Sequence, residues 1–168
     1  RLIATACGTA YYAACIAKFW FEKFARLGVE TDVASEFRYR NPVIGEGDAA
    51  LFVSQSGETA DTLAALRYCK AAGAKAIAVV NVAESSIARE ADTVAMIDAG
   101  PEIGVASTKA FTAQLSALLC LAIEAGRARG VLSEADETAF AKAILETPRL
   151  VNAALSAEAQ IERLAHDL

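Results

Sequence analysis

Metal-ligand clusters are missing from this sequence. It has a single histidine, His166, close to the last residue, and its four cysteines (Cys7, Cys15, Cys69 and Cys120) form no C-x-x-C pair. A zinc or other metal site is therefore not expected. The cysteines sit where apolar faces are expected, which suits free thiols in a reducing cytosol. Cys7 beside Gly8 has the look of a nucleophile, but no histidine lies near it in sequence to activate it, so it reads as structural. Neither G-x-G-x-x-G nor the Gly-Lys-Ser/Thr of a nucleotide P-loop occurs, which argues against dinucleotides and ATP; no cofactor is expected. A net charge of −5 and the lack of a basic cluster interleaved with aromatics argue against nucleic acid. The most apolar stretch, residues 115–123, stops at Glu124 and is too short to span a bilayer. No signal peptide is visible, so a cytoplasmic location is expected. Arg1 is not a native start, and a strand begins at once at residue 2, so the chain reads as a fragment.

The composition, 55% hydrophobic and 22% charged over 168 residues, is that of a globular domain with a core. Segments of strand length lie at residues 2–6, 29–34, 49–53, 76–81 and 93–97, most of them largely apolar. Helical patterns lie between and after them, at residues 11–27, 62–72, 85–90 and 108–128. Ser35 is expected to cap a short turn before Asn41-Pro42. Alternating apolar strands and helices predict an α/β fold, a doubly wound five-stranded parallel sheet covered on both faces. A polar turn after the third strand points to the flavodoxin-like order 2-1-3-4-5, with a crevice at the carboxyl ends of strands one and three.

The chain is organised around that turn. Ala49–Val53 runs into Ser54-Gln55-Ser56-Gly57-Glu58-Thr59, and a helix follows. Such a strand–turn–helix aims unpaired N–H groups and the positive end of a helix dipole at one point. Gly57 removes a side chain that would block close approach, and Ser54, Gln55, Ser56 and Thr59 all carry donors. A capped helix start, with Ser56 as the cap and Glu58 and Asp61 facing the dipole, is the plainer alternative. Three hydroxyls and an amide around one glycine exceed what a cap needs, so the turn is expected to hold a phosphate group. With no lysine or arginine in it, the guest should be a small phosphorylated metabolite. Gly8-Thr9-Ala10 after the first strand and Gly104-Val105-Ala106-Ser107 after the fifth are expected to form two further walls. Their plainer readings are a helix-packing glycine at Gly8 and an N-cap at Ser107.

Beyond Gly130 no chemistry is visible. Ser133-Glu134-Ala135-Asp136-Glu137 opens a charged amphipathic helix expected to end near Pro148, with more helix after it. Domains are expected at residues 1–130, holding the site, and 131–168, a helical connector.

Four stretches together carry a family resemblance: Cys7-Gly8-Thr9, the run from Ser35 to Arg40, the run from Ser54 to Thr62, and the run from Glu102 to Phe111. They resemble the sugar isomerase (SIS) domains, and among these the first of two SIS subdomains in the isomerase half of the glutamine–fructose-6-phosphate aminotransferase (glucosamine-6-phosphate synthase) family. The Ser-Gln-Ser-Gly-Glu-Thr turn alone marks the wider superfamily; residues 102–111 narrow it to the aminotransferases. The resemblance implies a part of an enzyme that makes glucosamine 6-phosphate from fructose 6-phosphate and glutamine, in amino-sugar biosynthesis. It implies that Ser54, Gln55, Ser56 and Thr59 hold the phosphate, that Thr9, Val105 and Ser107 contact the sugar, and that fructose 6-phosphate, glucose 6-phosphate and glucosamine 6-phosphate are ligands; Gly8 and Gly57, as the glycines of the two turns, are further substrate-binding candidates. It also implies a homodimer, with a second SIS domain and a glutaminase domain as partners. One departure stands out: Ala10 occupies a position where the family usually has serine.

By the same resemblance, the proton-transferring glutamate, ring-opening histidine and imine-forming lysine lie in parts that this chain does not include, so no catalytic residue is expected here. Lys109, one turn into its expected helix, reads as a solvated lysine, and Glu58 and Glu102 as dipole partners or interface groups. Two other functions stay open: a regulatory module that senses a sugar phosphate, and a stand-alone sugar-phosphate isomerase or deaminase.

Overall fold

The computed structural model describes residues 1–104 and 107–166. It comprises two units, Arg1–Leu132 and Ser133–Leu168. The first holds β1 (Leu2–Ala6), α1 (Gly8–Phe24), β2 (Val29–Val33), α2 (Ala34–Phe37), β3 (Ala49–Ser54), α3 (Ala60–Ala71), β4 (Lys75–Val80), α4 (Ser86–Glu90), β5 (Thr93–Met96) and α5 (Lys109–Ala128). The sheet is parallel throughout in the order β2-β1-β3-β4-β5, which bears out the expected fold class.

The two-residue period of the strands sorts their side chains into two cores. Leu2, Ala4, Ala6, Leu51, Val53 and Val79 pack with Ala10, Ala13, Ala14, Ala17 and Phe21 of α1 and with Leu118 and Ala122 of α5. Ile3, Ala50, Phe52, Ala76, Ala78 and Val80 point the other way, onto Phe37 of α2, Leu66 and Cys69 of α3 and Ile87 of α4. Largely apolar central strands are what a sheet covered on both faces requires, and the polar residues Glu30 and Asp32 fall on the edge strand β2. Small residues let α1 and α5 approach closely: a Cβ on Gly126 would lie 2.5 Å from the Phe24 carbonyl oxygen.

Register places the site. Ala6 pairs with Val33 on one side and Val53 on the other. The chain leaves β1 and β3 at adjacent points, then turns to α1 on one face and α3 on the opposite face. That divergence opens the crevice at the carboxyl edge.

Three local expectations are corrected. The first helix begins at Gly8, not Tyr11, so Gly8-Thr9-Ala10 is its first turn and not a loop before it. Gly8 makes the abrupt strand-to-helix bend at φ +58°. Ser35 lies inside α2, whose N-cap is Val33.

In the second unit, α6 spans Glu134–Leu155 and α7 spans Glu158–His166. Ser133 and Asp136 form a capping box: the Asp136 amide donates to Ser133 Oγ at 3.1 Å, and the Ser133 amide donates to Asp136 Oδ2 at 2.9 Å. The helix passes through Pro148 instead of ending there. Proline removes one amide donor, and the neighbouring Thr147 hydroxyl bonds the Ala143 carbonyl at 3.0 Å. Neither helix has a buried residue. Among the described residues no helix is long and apolar enough to cross a membrane.

Candidate functional site

The turn after β3 is built by its own polar side chains. Ser54, 2% exposed, is the last residue of β3. Its Oγ accepts the Gly57 amide at 3.0 Å and lies 3.0 Å from Thr59 Oγ1. Ser56 Oγ accepts the Glu58 amide at 3.2 Å, which leaves its own proton free to donate outward. The Gln55 carbonyl accepts the Asn81 amide at 3.1 Å, tying the turn to the end of β4. Gly57 adopts φ +66°, and a Cβ there would lie 2.0 Å from Ser85 Oγ. Contact with Ser85, and not the close approach of a ligand, therefore explains this glycine.

The N-cap of α3 is Thr59, not Ser56, and its side chain makes no cap hydrogen bond. The N-cap of α1, Cys7, makes none either. The first-turn amides of both helices thus lack a side-chain acceptor at the place where the positive ends of their dipoles lie. The other helix starts near the crevice are served. Glu58 accepts the Ser86 amide at 2.7 Å, and Ser85 Oγ accepts the Ala88 amide at 3.4 Å, so α4 is capped twice. Glu102 accepts the Thr108 amide at 2.8 Å, the Ala110 amide at 3.4 Å, and the hydroxyls of Ser107 at 3.1 Å and Thr108 at 3.2 Å, which caps α5.

A pocket of about 190 Å³ lies between these elements. Cys7, Thr9 and Ala10 line it from the start of α1, Val53 to Ser56 and Thr59 from the end of β3 and its turn, Ser107 from the segment before α5, and Gln114 from α5 itself. It brings together six of the predicted residues: Thr9, Ser54, Gln55, Ser56, Thr59 and Ser107. Gly8 and Gly57 shape the adjoining turns without lining it, and Val105 lies outside the described residues. Among the described residues its lining includes no aspartate, glutamate, lysine, arginine or histidine. Hydroxyls, amides and two uncapped helix starts give it anion-binding character without a cation.

A family model confirms what this geometry resembles: the SIS domain matches residues 1–124. The chain belongs to the SIS domain family. It is 62% identical, over its whole length, to a glutamine–fructose-6-phosphate aminotransferase (isomerizing) of Bradyrhizobium diazoefficiens, and 60% identical to one of Brucella abortus. It spans 28% of the length of each. Among solved structures, the C-terminal domain of glucosamine–fructose-6-phosphate aminotransferase from Francisella tularensis superposes with a TM-score of 0.93 at 39% identity, covering 97% of this chain and 46% of that one. A glucosamine-6-phosphate deaminase from Thermotoga maritima shares the fold, with a TM-score of 0.72 at 22% identity over 88% of this chain and 44% of that one.

Two acidic residues near the SIS pocket, Glu58 and Glu102, are engaged elsewhere. The Ser86 amide holds the Glu58 carboxyl below the usual range, and the Thr108 amide does the same for Glu102. Both carboxylates face backbone amides, as the sequence reading expected of dipole partners, although Glu58 serves α4 and not its own helix. Lys109 is exposed and is the first residue of α5, not one turn into it. His166 belongs to the second unit.

The sequence reading missed two residues and undervalued a third. Asn81 connects three segments: besides its amide bond to Gln55, its side chain donates to the Gly100 carbonyl at 2.8 Å and accepts the Ala99 amide at 2.9 Å. A polar residue closing an apolar strand was the available signal. Gln114, 1% exposed, lies on the buried face of α5, and nothing local to the sequence sets it apart from other polar residues of that helix. Cys7, dismissed as structural, lines the pocket.

Proposed function

We propose that this chain is the sugar-phosphate-binding part of the isomerase domain of a glutamine–fructose-6-phosphate aminotransferase, which forms glucosamine 6-phosphate from fructose 6-phosphate and glutamine. The observation that carries this reading is the uncharged pocket where the uncapped starts of α1 and α3 meet the hydroxyls of Ser54, Ser56 and Thr59. The similarity of the whole chain to named aminotransferases supports it. The phosphate sits against the β3 turn, taking hydrogen bonds from Ser56, Gln55, Thr59 and the first-turn amides of α3. The sugar extends toward Thr9, Val105 and Ser107. Residues 1–130 act as the binding domain, and residues 131–168 as the connector to a second SIS domain.

In this reading the chain orients the substrate and moves no proton itself. Proton transfer between C1 and C2 needs a base within hydrogen-bond reach. Glu58 and Glu102 spend their oxygens on α4 and α5, and Asp61, in the first turn of α3, does not line the pocket. The reacting groups then come from other parts of the enzyme, working in the cytoplasm as a homodimer. Apolar side chains left exposed on α1, Tyr12, Ile16 and Phe19, suit such a contact.

Calorimetry tests the reading. Fructose 6-phosphate should bind, and unphosphorylated fructose should bind at least about 100-fold more weakly, because each hydrogen bond to a charged group contributes about 1.5–3 kcal/mol. Equal affinity for the two would sink it.

A further inference from the structure

We propose that the Gln114 side-chain amide is the contact that recognises the sugar of the ligand, as distinct from its phosphate. This rests on the sugar-phosphate reading above and adds to it a residue that tells a sugar phosphate from other phosphate esters. Gln114 lines the same pocket as Ser54, Ser56, Thr59 and Thr9, but it comes from α5, which crosses the α1 face of the sheet. It is 1% exposed, and its Oε1 has no hydrogen-bond partner among the described residues. A buried amide oxygen left unpaired is unfavourable in the empty protein. Every other position that lines the pocket and carries a hydroxyl on the β3 turn has a partner within that turn or makes a backbone contact. Gln114 alone among the lining residues is both buried and unsatisfied.

The chemistry of that atom selects its guest. The amide's NH2 can serve a phosphate oxygen or a hydroxyl alike, but its unpaired Oε1 only accepts, and a phosphate dianion has no proton to give it. A sugar hydroxyl both donates and accepts, so it satisfies the amide in either of its two orientations. The β3 turn already supplies donors for the phosphate. An acceptor on the opposite wall therefore fits a hydroxyl of the carbon chain once the phosphate is anchored. Such division of labour is usual in small-molecule sites, where a few placed polar groups fix orientation. A site built to pair a hydroxyl also rejects analogues that lack it, because the protein group is then stranded.

The test substitutes Gln114→Met, which keeps length and volume and removes the polar group. Calorimetry of the chain with fructose 6-phosphate and with methyl phosphate reads the two halves of the site separately, and thermal unfolding without ligand reads the fold. Affinity for fructose 6-phosphate should fall about 10-fold, the value of one neutral hydrogen bond at the upper end of its range. Methyl phosphate should bind the variant as it binds the unaltered chain. The melting temperature of the ligand-free variant should rise, since an unpaired buried carbonyl is gone. Unchanged affinity for fructose 6-phosphate, or an equal fall for both ligands, overturns the proposal. So does a lower melting temperature, which would make Gln114 a packing or structural residue. If the unaltered chain binds neither ligand, the sugar-phosphate reading itself fails and the role of Gln114 goes with it.

Discussion

Gly57 and Ser85 are in such close contact that a single added carbon on Gly57 would overlap the Ser85 side chain, at 2.0 Å from Oγ and 2.4 Å from Cβ. Ser85 cannot yield easily, because its hydroxyl donates to the Val82 carbonyl at 2.7 Å and accepts the Ala88 amide at 3.4 Å. The Ile87 amide also donates to the Gly57 carbonyl at 3.0 Å, so the β3 turn and the start of α4 are fastened together. Gly57→Ala adds a methyl group at a positive φ and into occupied space. Denaturant unfolding should show a loss of about 2–5 kcal/mol, from the left-handed backbone and overpacking combined. A loss below the lower figure would mean that the α4 segment moves freely away from the turn.

Ser56→Ala should weaken sugar-phosphate binding more than Ser107→Ala. The Ser56 hydroxyl accepts from the Glu58 amide and keeps its proton for a ligand. The Ser107 hydroxyl already donates to Glu102 at 3.1 Å. Loss of one hydrogen bond to a charged group corresponds to about 10- to 100-fold in affinity for Ser56→Ala. The reverse ranking in a titration would move the phosphate from the β3 turn to the third wall.

Glu102 ties the segment from Ser107 to Ala110 to the loop before it, and its pH response has a definite sign. The Thr108 amide lowers the Glu102 pKa in the folded chain. The carboxylate's contribution is therefore complete above the ordinary glutamate range and is lost as the pH falls through the depressed folded value. Ligand affinity should show no step from this group near neutrality and should decline in acid. Glu102→Gln should remove the acid decline that the group causes and weaken binding at neutral pH, because a neutral amide serves the α5 start less well. A variant whose affinity below the glutamate range falls as steeply as that of the unaltered chain would exclude the clamp as the cause.

Three of the four thiols, Cys7, Cys69 and Cys120, should separate cleanly under alkylation. Burial pushes the Cys69 thiol up to about 12, so it should react only on unfolding. Cys120 is exposed, although an apolar-face position was expected for it, and should react first. Cys7 is half-buried and lines the pocket, so fructose 6-phosphate should slow its modification and leave Cys120 unaffected. Mass spectrometry of peptides labelled with and without ligand reads both effects.

Much of this was legible in one dimension. Largely apolar segments of strand length separated by helical patterns predicted the parallel sheet and its order, because strands covered on both faces carry few polar residues; the edge strand β2, with Glu30 and Asp32, is the exception. The Ser54–Thr59 turn stood out because its donors outnumber the needs of a helix cap. Its neighbours in space followed from the switch-point geometry, which brings the ends of β1 and β3 side by side.

The rest required distances between segments remote in sequence. Whether Gly57 serves a ligand or a neighbour depends on Ser85, which lies beyond a helix and a strand. Glu58 was expected to face a helix dipole, but the helix it caps is α4 and not the one it precedes, because the β3 turn folds over the end of β4. Gln114 looked like any polar residue in a long helix. Its burial and its unpaired oxygen exist only once α5 is laid against α1 and the sheet. Periodicity and turn chemistry are local properties, and the sequence by itself determined them. Which polar atoms end up paired is a property of the assembled chain, and only the tertiary structure decided it.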